Sequence, residues 1–133
     1  MPHLTLDYSA NLRGDGAIGA LCAALAGTLV KFNVDGKAVY PVGGIRVRAF
    51  AAEDYCVADG RADAAYLHAR LAVARGRPEA TLKATGDALF TVIQQHFAPL
   101  FERRGLALSM EIQEFPELGT WKHNNLHARL RAS

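Results

Sequence analysis

The chain has 133 residues, half of them hydrophobic and 21% charged, with a formal net charge of +2. That length fits one domain over residues 1–133 and leaves no room for two ordinary ones. The small charge, without a dense Lys/Arg run, gives no argument for nucleic acid, and no stretch approaches the roughly 20 apolar residues that span a bilayer. The start, Met1-Pro2-His3-Leu4-Thr5, lacks a basic or apolar leader. Cys22 and Cys56 form neither a CxxC pair nor a metal spacing. A cytoplasmic protein with two reduced thiols is expected.

Leu4, Leu6 and Tyr8 alternate with polar residues and predict a half-buried strand over 3–8. Gly14-Asp15-Gly16 reads as a loop leading into a helix. From residue 17, Ile18, Leu21, Cys22, Leu25, Leu29 and Phe32 recur at helical spacing, and Asp35-Gly36 ends that helix with a turn. Residues 39–42 are short and extended, broken by Pro41. Ile45, Val47 and Ala49 alternate with Arg46 and Arg48, which predicts a second strand over 45–50 with both arginines on one face. Residues 51–60 are polar and end in the Asp59-Gly60 turn pair.

A third strand is expected over 65–74, with Tyr66, His68 and Arg70 on one side. Arg75-Gly76-Arg77-Pro78 is a tight basic loop, and Pro78 suits the first position of a helix. The stripe Leu82, Leu89, Phe90, Val92, Ile93, Phe97, Leu100 and Phe101 marks that helix over 78–103, stopped by Gly105. Residues 106–113 alternate as a fourth strand. A loop over 115–125 holds Pro116 and Gly119, and a short segment over 126–130 closes the chain.

The order strand, helix, strand, strand, helix, strand predicts an α+β fold. Two βαβ halves form a mixed four-stranded sheet with two helices on one face. One layer of helices covers only one face of such a sheet. The other face is expected to keep Leu and Val and to drive association.

Taken in order, several motifs carry a resemblance. They are Met1-Pro2-His3 opening into a strand, Gly44-Ile45-Arg46-Val47-Arg48, Ala58-Asp59-Gly60, Tyr66-Leu67-His68 and Gly76-Arg77 before the long helix. The run from Leu106 to Ile112 and Lys122-His123-Asn124-Asn125-Leu126-His127 complete the set. Together they resemble the tautomerase superfamily, and within it the 5-carboxymethyl-2-hydroxymuconate isomerase family. The pattern departs from that family over 7–16 and 27–42.

The resemblance implies a homotrimer with active sites near subunit boundaries. It implies an isomerase with no metal and no cofactor, acting on a small polycarboxylate in bacterial breakdown of aromatic acids such as homoprotocatechuate. It also implies an amino-terminal proline as general base, which is Pro2 here, and arginines that bind carboxylates, which are Arg46 and Arg77. A phenylpyruvate-type tautomerase, a dehalogenase, a hydratase or a non-catalytic trimeric binding protein are the alternatives.

The chemistry suits these residue types. An α-amino group titrates near about 8, well below lysine at about 10.4. Burial and neighbouring cations lower it further, towards the value a base needs at neutral pH. The proline ring fixes where the nitrogen points. All of this requires removal of Met1, because the Pro2 nitrogen is otherwise an amide. A planar guanidinium holds a carboxylate with two hydrogen bonds and stabilises the dienolate formed when the proton leaves. Arg48, two residues from Arg46 on the same strand face, is a reserve candidate. His123 and His127 are four apart but lack an evident third metal ligand. His68 reads as a hydrogen-bonded strand residue, His3 as a neighbour of the base, and Asp7 and Glu111 as sheet-face charges.

Overall fold

The computed structural model describes residues 1–132; Ser133, the last residue of the expected domain, lies outside the described residues. Strand β1 (His3–Ser9) leads through a 3-10 turn (Ala10–Leu12) into helix α1 (Ile18–Lys31). The short strands β2 (Asn33–Val34) and β3 (Lys37–Ala38) follow, then a second 3-10 turn (Val42–Gly44) and β4 (Arg46–Ala52). The second half is β5 (Ala64–Ala74), α2 (Glu79–Arg103) and β6 (Gly105–Phe115), and α3 (Leu126–Ala132) closes the described chain.

The four long strands lie in the order β4-β1-β5-β6. β1 runs parallel to β4, β5 runs parallel to β6, and the two central strands β1 and β5 are antiparallel. Each parallel pair is thus joined by a crossover helix, the expected pair of βαβ halves. Three details differ from the sequence reading. Asp35-Gly36 does not simply stop α1: with φ of 52° and 79° it turns the β2-β3 hairpin, the positive-φ pattern of a two-residue type I′ loop. The stretch over 39–42, expected to be extended, bends at Val39 and Tyr40 and enters a 3-10 turn at Val42. The closing segment is a helix, initiated by Asn124, whose Oδ1 accepts the Leu126 N–H at 2.6 Å.

The core lies between the sheet and the two long helices. Leu4, Leu6, Leu67, Leu71 and Val73 are fully buried against Leu21, Leu25 and Leu29 of α1 and Leu89, Ile93 and Phe97 of α2. Burying each such side chain contributes about 1.5–3 kcal/mol.

The expected apolar second sheet face is not found. Strand alternation puts the Leu and Val residues of β1 and β5 on the helix side, so the open face is polar. There His3, Thr5 and Asp7 face upward beside Arg46, Arg48 and Phe50 on one flank and Ala72, Arg70 and His68 on the other. Of these only Phe50 is a large exposed apolar residue. Among the described residues, no helix is long and apolar enough to cross a membrane.

Candidate active site

The register of the sheet brings one end of all four long strands together. β1 and β4 begin there, and β5 and β6 end there. Pro2 is buried at this end, and its carbonyl accepts the Arg46 N–H at 3.0 Å, extending the β1-β4 ladder by one bond. Proline lacks an N–H, which suits it to the position just before a strand. Met1 then lies over the 3-10 turn at Val42–Gly44. A side chain at Gly44 would come within 3.3 Å of the Met1 Cα, so the glycine lets the terminus lie close.

Three cations converge on this terminus. Arg46 Nη1 donates to the carbonyls of Gly43 and Ile45, both at 3.0 Å. Its Nε and Nη2 have no protein partner among the described residues. Arg77 comes from the loop between β5 and α2, where Gly76 takes a φ of 120° that only glycine adopts readily. Arg77 Nη1 donates to Ala74 O at 3.2 Å, and its guanidinium lies 4.7 Å from the ring centre of Tyr40. That cation–π contact orients the guanidinium. Tyr40 is buried and held in turn. Thr85 Oγ1 donates to Thr81 O at 2.8 Å, so its remaining capacity accepts the Tyr40 hydroxyl, also at 2.8 Å.

The third cation is Lys122, on the loop before α3. Burial lowers the pKa of the Met1 amino group, and the charges of Arg77, Lys122 and Arg46, in that order, lower it further. A cavity of about 410 Å³ at this end is lined by Met1, Pro41, Gly44, Lys122, His123, Asn124 and His127.

Pro2, Arg46 and Arg77 are therefore neighbours, from three separate elements. Arg48 lies apart. It is on the open face, exposed, and its Nη1 donates to His3 Nδ1 at 3.1 Å, which fixes the His3 proton on Nε2. Burial lowers the pKa of His3, and Arg48, Arg46 and the terminal amino group lower it further. His68, Asp7 and Glu111 also belong to the open face. His68 bonds Ser109 Oγ at 2.7 Å and Glu111 Oε1 at 2.8 Å, and Tyr66 donates to Asp7 at 2.9 Å. His123 and His127 line the cavity. Among the described residues, no group of three or more His, Cys, Asp or Glu side chains could hold a metal ion.

Tyr40, Lys122 and Asn124 were not singled out from the sequence as site residues. Tyr40 sits in an aperiodic stretch. Asn124 had a usable signal, since an Asn two residues before an apolar helical start is a capping position.

A family model described as 5-carboxymethyl-2-hydroxymuconate isomerase matches residues 2–130. The chain is 36% identical over 128 residues to the 5-carboxymethyl-2-hydroxymuconate Delta-isomerase of Escherichia coli, covering 96% of this chain and 98% of that one. A crystal structure of a 5-carboxymethyl-2-hydroxymuconate isomerase from Deinococcus radiodurans R1 is 48% identical, with a TM-score of 0.88, and the match covers 98% of this chain and 94% of that one. A second crystal structure, of a 5-carboxymethyl-2-hydroxymuconate delta-isomerase, is 34% identical, with a TM-score of 0.91 and coverage of 98% and 93%. The chain is therefore a member of the 5-carboxymethyl-2-hydroxymuconate isomerase family.

Proposed function

We propose that this chain isomerises 5-carboxymethyl-2-hydroxymuconate, with the amino group of Pro2 as general base after Met1 is removed. The observation that carries the assignment is the gathering of Arg46, Arg77 and Lys122 around the chain terminus with no carboxylate bonded to any of them among the described residues. The substrate has a hydroxyl on a conjugated diene and three carboxylates. Loss of a proton gives a dienolate, and return of a proton at another position of the conjugated system moves the double bonds. Every atom and electron is conserved, so one base that accepts and returns a proton is sufficient.

Removing Met1 moves the terminal nitrogen back by one residue, about 3.8 Å along the chain. Pro2 is buried, and the cations that lower the Met1 amine support a shift in the same direction for the Pro2 amine. Arg46 has free N–H donors for a carboxylate, and Arg77 adds a second fork oriented by Tyr40. Both also stabilise the negative charge of the dienolate.

The same proposal takes the chain as one domain that works as a cytoplasmic homotrimer in aromatic-acid catabolism. Two free cysteines suit a reducing compartment. β6, an 11-residue strand bonded only to β5 among the described residues, supports association through its open edge. A light-scattering mass equal to the monomer would remove the trimer.

The test is the ultraviolet absorbance of 5-carboxymethyl-2-hydroxymuconate mixed with protein of confirmed N-terminal mass. Rapid conversion by the processed chain, impaired in Pro2→Ala and slowed by about 10²–10⁴ when Met1 is retained, is expected. No conversion by correctly processed protein would discard this substrate.

A further inference from the structure

The geometry points to Lys122 as the anchor for the substrate's third carboxylate, the one on the 5-carboxymethyl arm; this inference rests on the polycarboxylate assignment above. Lys122 lies two residues before Asn124, and Asn124 is fixed at both ends of its side chain. Its Nδ2 donates to Gly43 O at 3.0 Å, and its Oδ1 caps α3 at Leu126. Gly43 O is also an acceptor for Arg46 Nη1, at 3.0 Å. One carbonyl therefore ties the Lys122 loop to the arginine of β4. Gly43 is a glycine for a reason, since a side chain there would collide with the His127 ring and backbone. The loop is further closed by Thr120, whose Oγ1 donates to Pro116 O at 2.7 Å and whose N–H donates to Glu117 O at 3.1 Å.

The position this gives Lys122 is specific. It lines the cavity of about 410 Å³ and also a second one of about 170 Å³ formed with Ala74, Phe115, Glu117 and Thr120. Met1 lines both, so Lys122 stands between the two spaces that meet at the terminus. None of Arg46, Arg48 and Arg77 lines either space; Arg46 and Arg77 act on the terminal amine, whereas Arg48 Nη1 is bonded to His3 on the open face. No hydrogen bond or ion pair occupies the Lys122 ammonium among the described residues. Arg46, Arg77 and Lys122 then match three carboxylates one to one. A flexible ammonium suits the carboxymethyl arm, which rotates, while the planar forks suit carboxylates conjugated with the diene.

The experiment compares 5-carboxymethyl-2-hydroxymuconate with 2-hydroxymuconate, which lacks the third carboxylate, at a pH above the acid limb. In Lys122→Met the ratio of kcat/KM for the tricarboxylate over the dicarboxylate falls at least about tenfold, the size of a lost charged hydrogen bond. Lys122→Arg restores most of it. A ratio that stays unchanged, whether or not both activities drop, overturns the assignment, because a lysine that only lowers the pKa of the base affects both substrates alike.

Binding gives a reading that needs no turnover. By calorimetry, wild-type protein should prefer tricarballylate over glutarate, and Lys122→Met should lose that preference. An equal preference in both proteins would also overturn the role of Lys122. Wild-type protein that turns over neither muconate would defeat the proposed function, while the calorimetry would still decide the role of Lys122.

Discussion

Two groups of charges on one sheet are wired in different ways. On the open face, Glu111 takes His68 at 2.8 Å and Arg70 at 3.2 Å, and Tyr66 donates to Asp7 at 2.9 Å. At the end where β1 and β4 begin, Arg46 and Arg77 donate only to main-chain carbonyls, and Lys122 has no bonded partner among the described residues. Folding pairs the first group within the protein and brings the second together with no carboxylate bonded to it among the described residues. Like charges held close repel, and under the proposed function an arriving polyanion converts that repulsion into binding. Under the proposed function, the lack of a bonded carboxylate separates binding cations from structural ones better than charge content does.

The largest expected effect comes from blocking the terminus. Protein that retains Met1 should lose about 10²–10⁴ in kcat, the contribution of a positioned general base, while still binding the substrate through its cations. Stopped absorbance assays on two preparations of known mass measure it, and equal rates would move the base elsewhere. Arg77→Ala comes next, with kcat/KM reduced at least about tenfold. Unchanged kinetics would return Arg77 to the class of surface charges.

The acid side of the pH profile sharpens the comparison further. The base works only when unprotonated, so activity falls as pH drops through its pKa. Burial and the cations lower the Met1 amine below its ordinary value of 8.0, and under the proposed function the Pro2 amine is expected to shift in the same direction. Arg77 is the largest charge contributor, so Arg77→Ala should move the acid limb of kcat/KM to higher pH, towards that ordinary value. Glu111→Gln should leave the limb in place. A limb that shifts the other way in Arg77→Ala would exclude this amine as the titrating group.

The sequence made the strand and helix order legible because Leu4, Leu6 and Tyr8, and the stripe ending in Phe97 and Leu100, repeat with clear periods. It misled on the open face, where Leu and Val were expected to remain. The alternation of β5 puts Leu67, Leu71 and Val73 together on the helix side, and only the pairing register reveals what lies opposite. At the site, Arg46 and Arg77 were marked by the resemblance of the Gly-Ile-Arg and Gly-Arg motifs to the family. Tyr40 and the Asn124 bond to Gly43 depend on contacts across 37 to 81 residues of chain, which local spacing does not show; only the capping role of Asn124 was legible locally.

Glu111→Gln has the smallest expected effect and bears most directly on the paired region. The His68 and Arg70 contacts lower the pKa of Glu111 below its ordinary 4.5. A carboxyl with a depressed folded pKa adds stability that is present above the unfolded value and is lost as pH falls through the folded one. The variant should therefore melt slightly below wild type at pH 7, by no more than about 4 °C, because exposed ion pairs contribute little. The gap should close as pH falls below the ordinary carboxylate range. At pH 7, kcat/KM should stay within about twofold, since Glu111 lines neither cavity at the terminus. A variant with unchanged melting but collapsed activity would erase the division between the two groups of charges and make the open face part of the catalytic apparatus.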